Sequence, residues 1–351
     1  MTGPEQPTGA GRRPGPGDRA GRVVDRVVTV GEGLAVFRSA PDEQLWRADR
    51  VTVGTGGAEA NVAMTLAHLG VPVVWAGRVA ADSLARRVTR ELRAEGVGVR
   101  TVVDPDRPTG LLVKDVGADG RTAVSYHRAG SAGSALTVAD VDALGLDLAP
   151  GTLVHVTGIT GSLSTSAADA VRHLVGRARE SGALVSFDVN HRPRLWGDRP
   201  AHEPHRALAA AADLVVASVD EVPFLVGTSF EVDPRAPGLE QAELAADALT
   251  GAGHEHVVVT AGSAGAAARH DGRRATVAAH EVRVVDTVGA GDAFVGGYLA
   301  GWSRRTDLAA RLRLASLSGA AACRHAGDWE GAVDLDGVGA DPLTGGDPVD
   351  R

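Results

Sequence analysis

The chain has 351 residues, 44% of them hydrophobic, and a formal net charge of −8. That is enough apolar side chain for a sizeable core in one large domain or two, and the negative balance argues against nucleic acid as a partner. No window of about 18 apolar residues is present, which excludes a transmembrane segment. Lys114 is the single lysine among the 36 basic residues, so no Gly-Lys-Ser/Thr phosphate loop exists. The lone Cys323 has no partner for an internal disulfide, and in Ala-rich helical surroundings it reads as a small buried hydrophobe, consistent with a reducing, cytoplasmic setting.

Residues 1–22 are rich in Gly and Pro without an apolar stretch and read as a disordered tail, not as a signal peptide; Arg12-Arg13 lacks the hydrophobic region an export signal requires. From residue 23 onward, short apolar runs alternate with longer Ala/Leu/Arg stretches of helical period. The runs predict strands at Arg26–Val30, Val73–Trp75, Leu153–Thr157, Leu184–Asp188, Leu214–Ala217 and Val257–Thr260, with helices such as Glu59–Leu69, Ser166–Ser181 and Leu239–Thr250 between them. Near-continuous apolar strands joined by helices imply an α/β fold with a mostly parallel central sheet flanked by helices. Ligands in such sheets bind beyond the carboxyl ends of the strands, where the loops carrying Gly31, Asn190, Glu221 and Gly262 emerge. Two segments, 37–53 and 110–128, turn to period-two alternation, and Leu111–Val116 and Thr122–Tyr126 flank a turn at Ala118-Asp119-Gly120; these predict a hairpin and a small added β-sheet. Beyond about Asp334 the chain is Gly- and Asp-rich and reads as a flexible tail, leaving 23–333 as the folded unit.

The candidate site residues follow in chain order. Gly56-Gly57 before Asn61 lets backbone approach a ligand, although a plain turn and a helix-face asparagine would look the same. Tyr126-His127-Arg128 and Asp188-Val189-Asn190-His191-Arg192 both carry arginine, which binds carboxylates in bidentate fashion, as an acidic sugar would require; an arginine on a solvated face is the plain alternative for each. Ser218-Val219-Asp220-Glu221 offers acids that would suit either an outer metal shell or a helix start. Thr260-Ala261-Gly262-Ser263-Ala264-Gly265 is a glycine-bearing strand-end loop. Asp286-Thr287-Val288-Gly289-Ala290-Gly291-Asp292-Ala293-Phe294 sets an acid behind a glycine turn at a helix start, where amides and the helix dipole form an anion site. Asp292 there would suit the removal of a proton from an attacking hydroxyl, or simple helix capping.

That nonapeptide, with Gly296-Gly297 downstream, matches the C-terminal signature of the ribokinase-like (PfkB) carbohydrate kinases, and Gly31-Glu32 with Gly56 to Ala63 resembles their N-terminal signature. Ala80 and Ala85 stand where that signature expects glycines, and Ser218 where it expects asparagine. The arginine-bearing segments and Val156-Thr157-Gly158-Ile159-Thr160 resemble the 2-keto-3-deoxygluconate kinase branch, with His127 in place of a second tyrosine. The resemblance spans roughly residues 26 to 332. It implies a ribokinase-like fold whose small β-sheet is a lid over the sugar, often paired with its copy in a homo-oligomer. It implies Asp292 as catalytic base, the amides of Gly289, Ala290 and Gly291 as anion hole, and ATP with Mg²⁺ as donor. Gly56, Gly57, Asn61, Tyr126, Arg128 and Arg192 would meet the substrate; Asn190, Ser218, Thr260, Gly262, Gly265 and Asp286 the nucleotide; and Glu221 the outer shell of the metal. A monovalent cation is a further option. The implied reaction is phosphorylation of a sugar acid, 2-keto-3-deoxygluconate to its 6-phosphate, with a neutral sugar such as fructose or ribose as the alternative. A non-catalytic sugar or nucleotide sensor has no need of a positioned base, and a dinucleotide-dependent dehydrogenase lacks its third glycine after Gly31-Glu32-Gly33.

Overall fold

Runs of β-branched residues become the central strands, and the Ala/Leu-rich stretches become the helices that cover them. The computed structural model describes residues 23–40, 43–117, 122–197, 199–227, 230–233 and 238–331. The tails expected at 1–22 and 334–351 and the turn at Ala118-Asp119-Gly120 lie outside the described residues. The strands are β1 (Arg26–Val30), β2 (Leu34–Arg38), β3 (Thr52–Gly56), β4 (Val73–Ala80), β5 (Gly98–Asp104), β6 (Leu111–Val116), β7 (Thr122–His127), β8 (Thr152–Thr157), β9 (Leu184–Asp188), β10 (Leu214–Ser218), β11 (His256–Thr260), β12 (Ala266–His270) and β13 (Arg273–Val277). The helices are α1 (Ala58–His68), α2 (Ser83–Ala94), α3 (Val138–Ala143), α4 (Gly158–Ser162), α5 (Thr165–Glu180), α6 (Pro193–Trp196), α7 (His202–Ala211), α8 (Val222–Val226), α9 (Gly238–Gly251), α10 (Ala290–Ser303) and α11 (Leu308–Ala322).

A nine-stranded sheet runs β13-β12-β11-β10-β9-β8-β1-β4-β5. From β11 through β5 every pairing is parallel, while β12 and β13 add an antiparallel edge. Alternate residues feed two cores, one per face: Val28, Val30, Val154 and Val156 pack with α5 and α9, whereas Val27 and Leu153 pack with α1, α10 and α11. A second sheet, β3-β2-β6-β7, carries the hairpin at β6 and β7 and buries Leu34, Val36 and Leu112 on one side.

Two sequence expectations shift. The 37–53 segment is not a continuous strand region; its strands lie at the flanks, β2 ending at Arg38 and β3 beginning at Thr52. The edge strands β12 and β13 were not expected, because Ala-Ala-Ala-Arg-His and Arg-Arg-Ala-Thr-Val carry little of the β-branched enrichment that marks a strand. Ala80 and Ala85 are buried, and between them Asp82 caps α2 through the amide of Ala85 at 2.8 Å while accepting from Thr109 Oγ1 at 2.7 Å. This ties the start of α2 to the segment that leads into β6 of the small sheet despite the missing glycines.

The packing of α1 against α10 positions the site described below, and it depends on Gly296. A Cβ there would lie 2.7 Å from Thr65 Cβ. Gly296→Ala is therefore expected to push the helices apart, costing about 1–3 kcal/mol in urea unfolding, and to lower kcat through the residues the two helices share.

Candidate active site

Gly289 adopts φ 82° and precedes the first turn of α10, so Ala290, Gly291 and Asp292 occupy that turn and Asp292 is not the capping residue. Two constraints fix the glycine: its left-handed backbone, and the carbonyl oxygen of Asp328, which would lie 1.9 Å from a Cβ. Gly291 is different, because a Cβ there meets nothing within 4 Å. Space has been left on that face of the turn where the first amides of a helix attract an anion.

Asp292 is buried, and its carboxylate accepts from Asn61 Nδ2 at 2.8 Å and from Asn190 Nδ2 at 3.5 Å. Burial pushes its pKa up to about 7, against the Asn61 hydrogen bond and the charge of Arg192, which pull it down. A carboxyl group so poised accepts a proton readily near neutral pH. Asn190 sits at φ 36°, a left-handed conformation uncommon outside glycine, and donates to Asp188 at 3.2 Å as well.

Two cavities meet at this turn. One, of about 530 Å³, is lined by Gly57, Asn61, Tyr126, Arg128, Arg192 and Asp292, and also by Asn190, Ser218, Glu221, Gly289 and Asp328. The other, of about 700 Å³, is lined by Gly262, Gly265, Ala290 and residues 279–282. Thr260, Thr287, Gly291 and Phe294 belong to both. The sequence-predicted residues thus divide only in part: Asn190 and Ser218, expected at the nucleotide, line the cavity of Asp292, Gly262 and Gly265 line the other, and Thr260 borders both. Gly56 and Asp286 line neither cavity. Asp286 instead accepts from Lys114 Nζ at 2.8 Å and from the Val288 amide at 3.0 Å. His127 is exposed on β7 and lies outside the lining, so its departure from the expected tyrosine does not alter the cavity wall.

The two arginines are unequal. Arg128 is buried and donates from Nε at 2.7 Å and Nη2 at 2.5 Å to Glu32, whose other oxygen accepts from Ser131. Its charge is balanced within the protein. Arg192 emerges at the end of β9 and faces Tyr126, Asp188 and Asp292 electrostatically.

Ser218 and Glu221 form a capping box, and Glu221 accepts from the amides of Ser218 at 2.8 Å and His191 at 2.6 Å. Burial raises the pKa of Glu221, and burial together with the Glu221 charge holds Asp188 well above the usual carboxylate range. Two buried acids side by side favour a cation close to them, and both line the cavity. Among the described residues no group of three or more His, Cys, Asp and Glu side chains is arranged to hold a metal directly.

Sequence reasoning singled out neither Asp188, Asp328 nor Glu59. Asp188 ends a strand at the ligand-binding edge of a parallel sheet, a signal that was available. Glu59 is buried under the site, accepting from Thr157 Oγ1 at 2.7 Å and Thr160 Oγ1 at 2.6 Å, and burial raises its pKa.

Residues 24–333 match the pfkB family carbohydrate kinases. The chain belongs to this family. It is 36% identical over 279 residues to the 2-dehydro-3-deoxygluconokinase of Bacillus subtilis, covering 78% of this chain and 82% of the relative. It is 34% identical over 275 residues to the 2-dehydro-3-deoxygalactonokinase of Haloferax volcanii, covering 78% and 83%. The fold is similar to that of a fructokinase from Vibrio cholerae, solved with fructose, ADP and calcium ion bound, at a TM-score of 0.73 and 27% identity, covering 88% of this chain and 96% of that one. This pfkB chain is therefore a carbohydrate kinase of ribokinase-like fold.

Two predictions follow from the turn of this pfkB kinase. A base at Asp292 would have to be ionised, so in that role log kcat/KM is expected to rise with unit slope as pH increases towards about 7 and to level off above it. Asp292→Asn is expected to keep the fold by circular dichroism and lower kcat by about 10²–10⁴-fold. The glycines should part company in stability: Gly289→Ala destabilises by about 1–3 kcal/mol through its left-handed backbone. Gly291→Ala instead leaves the melting temperature equal or higher, yet lowers turnover by roughly 10–100-fold if its Cβ displaces an anion from the amides.

Proposed function

We propose that the protein transfers the γ-phosphoryl group of ATP to the terminal hydroxyl of a 2-keto-3-deoxy sugar acid, 2-keto-3-deoxygluconate giving its 6-phosphate. The observation that carries this reading is Arg192, a cation lining the same cavity as Asp292. A neutral sugar gains little from a guanidinium, whereas a carboxylate is held by one in bidentate fashion. The Bacillus subtilis and Haloferax volcanii relatives, named for keto-deoxy acids, support the same class.

In this reading the acid lies in the smaller cavity, with its carboxylate towards Arg192 and Tyr126 and its terminal hydroxyl at Asp292. Asn61 holds one carboxylate oxygen of Asp292 at 2.8 Å, which leaves the other, with its longer contact to Asn190, as the better-placed proton acceptor. ATP occupies the larger cavity, its adenosine end beside the 260–265 loop and its phosphates towards Thr287 and Gly291. The amides of Gly289, Ala290 and Gly291 meet the transferring group, in the manner of other phosphoryl-transfer sites where catalysis is positioning and electrostatics. Mg²⁺ bound with the nucleotide would neutralise phosphate charge, and Asp188 and Glu221 are the residues to hold it through water, in keeping with its preference for few protein ligands. We further read the protein as a homo-oligomer, because β3 and β7 leave the small sheet with two edges.

One observation favours a neutral sugar instead: Glu32 already balances the charge of Arg128, so the cavity has fewer unsatisfied cations than the sequence suggests. The Vibrio cholerae structure with fructose is the corresponding relative. A panel of 2-keto-3-deoxygluconate, 2-keto-3-deoxygalactonate, fructose and ribose, assayed with ATP and Mg²⁺, separates the two. The keto-deoxy acids are expected to give the highest kcat/KM. Arg192→Gln is expected to lower kcat/KM for them by roughly 10–100-fold, the worth of a charged hydrogen bond, and to leave the neutral sugars nearly unchanged. The comparison is made on the high-pH plateau of each enzyme's own profile, because removing the Arg192 charge raises the Asp292 pKa further. Higher activity on fructose or ribose overturns the acid assignment and keeps the kinase.

A further inference from the structure

Lys114 is the one lysine in a chain whose other basic residues are all arginine. It lies on β6 of the lid sheet, yet its side chain is fully buried. Its Nζ sits 2.8 Å from Asp286 Oδ2 and 2.6 Å from Asp328 Oδ1. Both acids are structural parts of the catalytic turn. Asp286 begins the turn and receives the Val288 amide, and Asp328 presses its carbonyl against Gly289. A single nitrogen between two carboxylates is a point charge, and the planar fork of arginine cannot take that place. This accounts for lysine at this position in a chain that uses arginine everywhere else.

The electrostatics show what the ammonium does. Burial pushes a proton off Lys114, but the two acids outweigh it and hold the lysine charged; burial also raises the Asp328 carboxyl, and the ammonium pulls against that rise without cancelling it. Without the cation, either two buried carboxylates oppose each other or Asp328 takes up a proton, and in both cases the contacts that Asp286 and Asp328 make with the turn lose the ammonium that joins them.

We propose that Lys114 is a positioning residue for phosphoryl transfer, its ammonium acting as a built-in monovalent cation that the lid sheet supplies to the Asp286–Asp292 turn. The charge and size of an ammonium are close to those of a free NH₄⁺ or K⁺ ion, so a chain without this lysine gains a vacancy that such an ion fills. The inference rests on the turn being the phosphate-binding element, and one arm of its test needs no substrate.

The test is Lys114→Met, which keeps the length and removes the charge. With the native chain, turnover is expected to be the same in KCl, NH₄Cl and choline chloride at equal ionic strength. In the variant, kcat is expected to fall at least tenfold in choline chloride, with KM for the sugar changing less than kcat, and to recover at least threefold in NH₄Cl or KCl. In parallel, without any substrate, the melting temperature of the variant is expected to rise in NH₄Cl relative to choline chloride while that of the native chain does not. Lys114→Arg is expected to lose turnover with no recovery by either ion. Native-level turnover of Lys114→Met in choline chloride, or turnover of the variant in NH₄Cl and KCl no higher than in choline chloride, overturns the proposal, as does a native chain that requires K⁺. If Lys114→Met fails to fold, Lys114→Met with Asp328→Asn removes one of the opposed charges and is expected to restore folding; failure of that double variant also overturns it. If no sugar is turned over at all, the melting-temperature arm alone decides, so the kinase reading can fail without deciding this one.

Discussion

The carboxylate of Asp292 is held away from water, and much of the surrounding architecture follows from that. A buried acid is tolerable only where other groups replace its hydration, and here three do so in part: the amides at the start of α10, the Asn61 amide at 2.8 Å, and the positive charge of Arg192. The first belongs to the helix itself. The second requires α1 and α10 to approach closely enough that Asn61 reaches a residue 231 positions away, which only a glycine at 296 permits. The balance leaves the acid protonatable near neutrality, which is the property a base working on an alcohol needs.

The same turn separates the two cavities. Thr287 and Gly291 border both, so a group passing from one side to the other would cross amides already oriented towards it. Parallel-sheet topology puts this boundary where it is: the ends of β9, β10 and β11 deliver Asn190, Ser218 and Thr260 to one rim, and the helix that follows the last strand brings its amino end back to meet them. Loops at strand ends can vary their chemistry without disturbing either core, which is why the fold alone says nothing about which sugar is bound.

What the amino-acid sequence made legible was whatever is local. Valine-rich runs such as Arg26–Val30 and Leu184–Asp188 declared themselves as strands because burial on both faces demands apolar residues at every position. Asp292 was legible because three small residues and an acid form a complete geometric statement within one turn. The pairing of the arginines was not. Arg128 resembles a free clamp in its own segment, and the Glu32 that balances it lies 96 residues earlier. Lys114 and Asp286 are 172 residues apart, so nothing in either segment signals that Asp286 serves a buried ion pair and lines neither cavity. The edge strands β12 and β13 went unseen for another reason: short Ala- and Arg-rich segments acquire strand conformation from pairing with β11, not from their own preference.

These long-range pairs share a consequence for the lid. Arg128, just past the end of β7, is tied to Glu32 at the root of β2, and Lys114, from the middle of β6, is tied to the turn before α10. Each joins the small sheet to the body through a charge that is buried and hydrogen-bonded. Removing one member of such a pair is costly because it strands the other, so the two ties resist independent movement of β6 and β7 far more than an apolar contact of equal area would. A small sheet fastened at both points holds Tyr126 and its wall of the smaller cavity near Asp292 in the absence of a ligand. A molecule bound there loses its own freedom without having to order that sheet as well, which is the form of preorganisation that lets binding contribute to a chemical step.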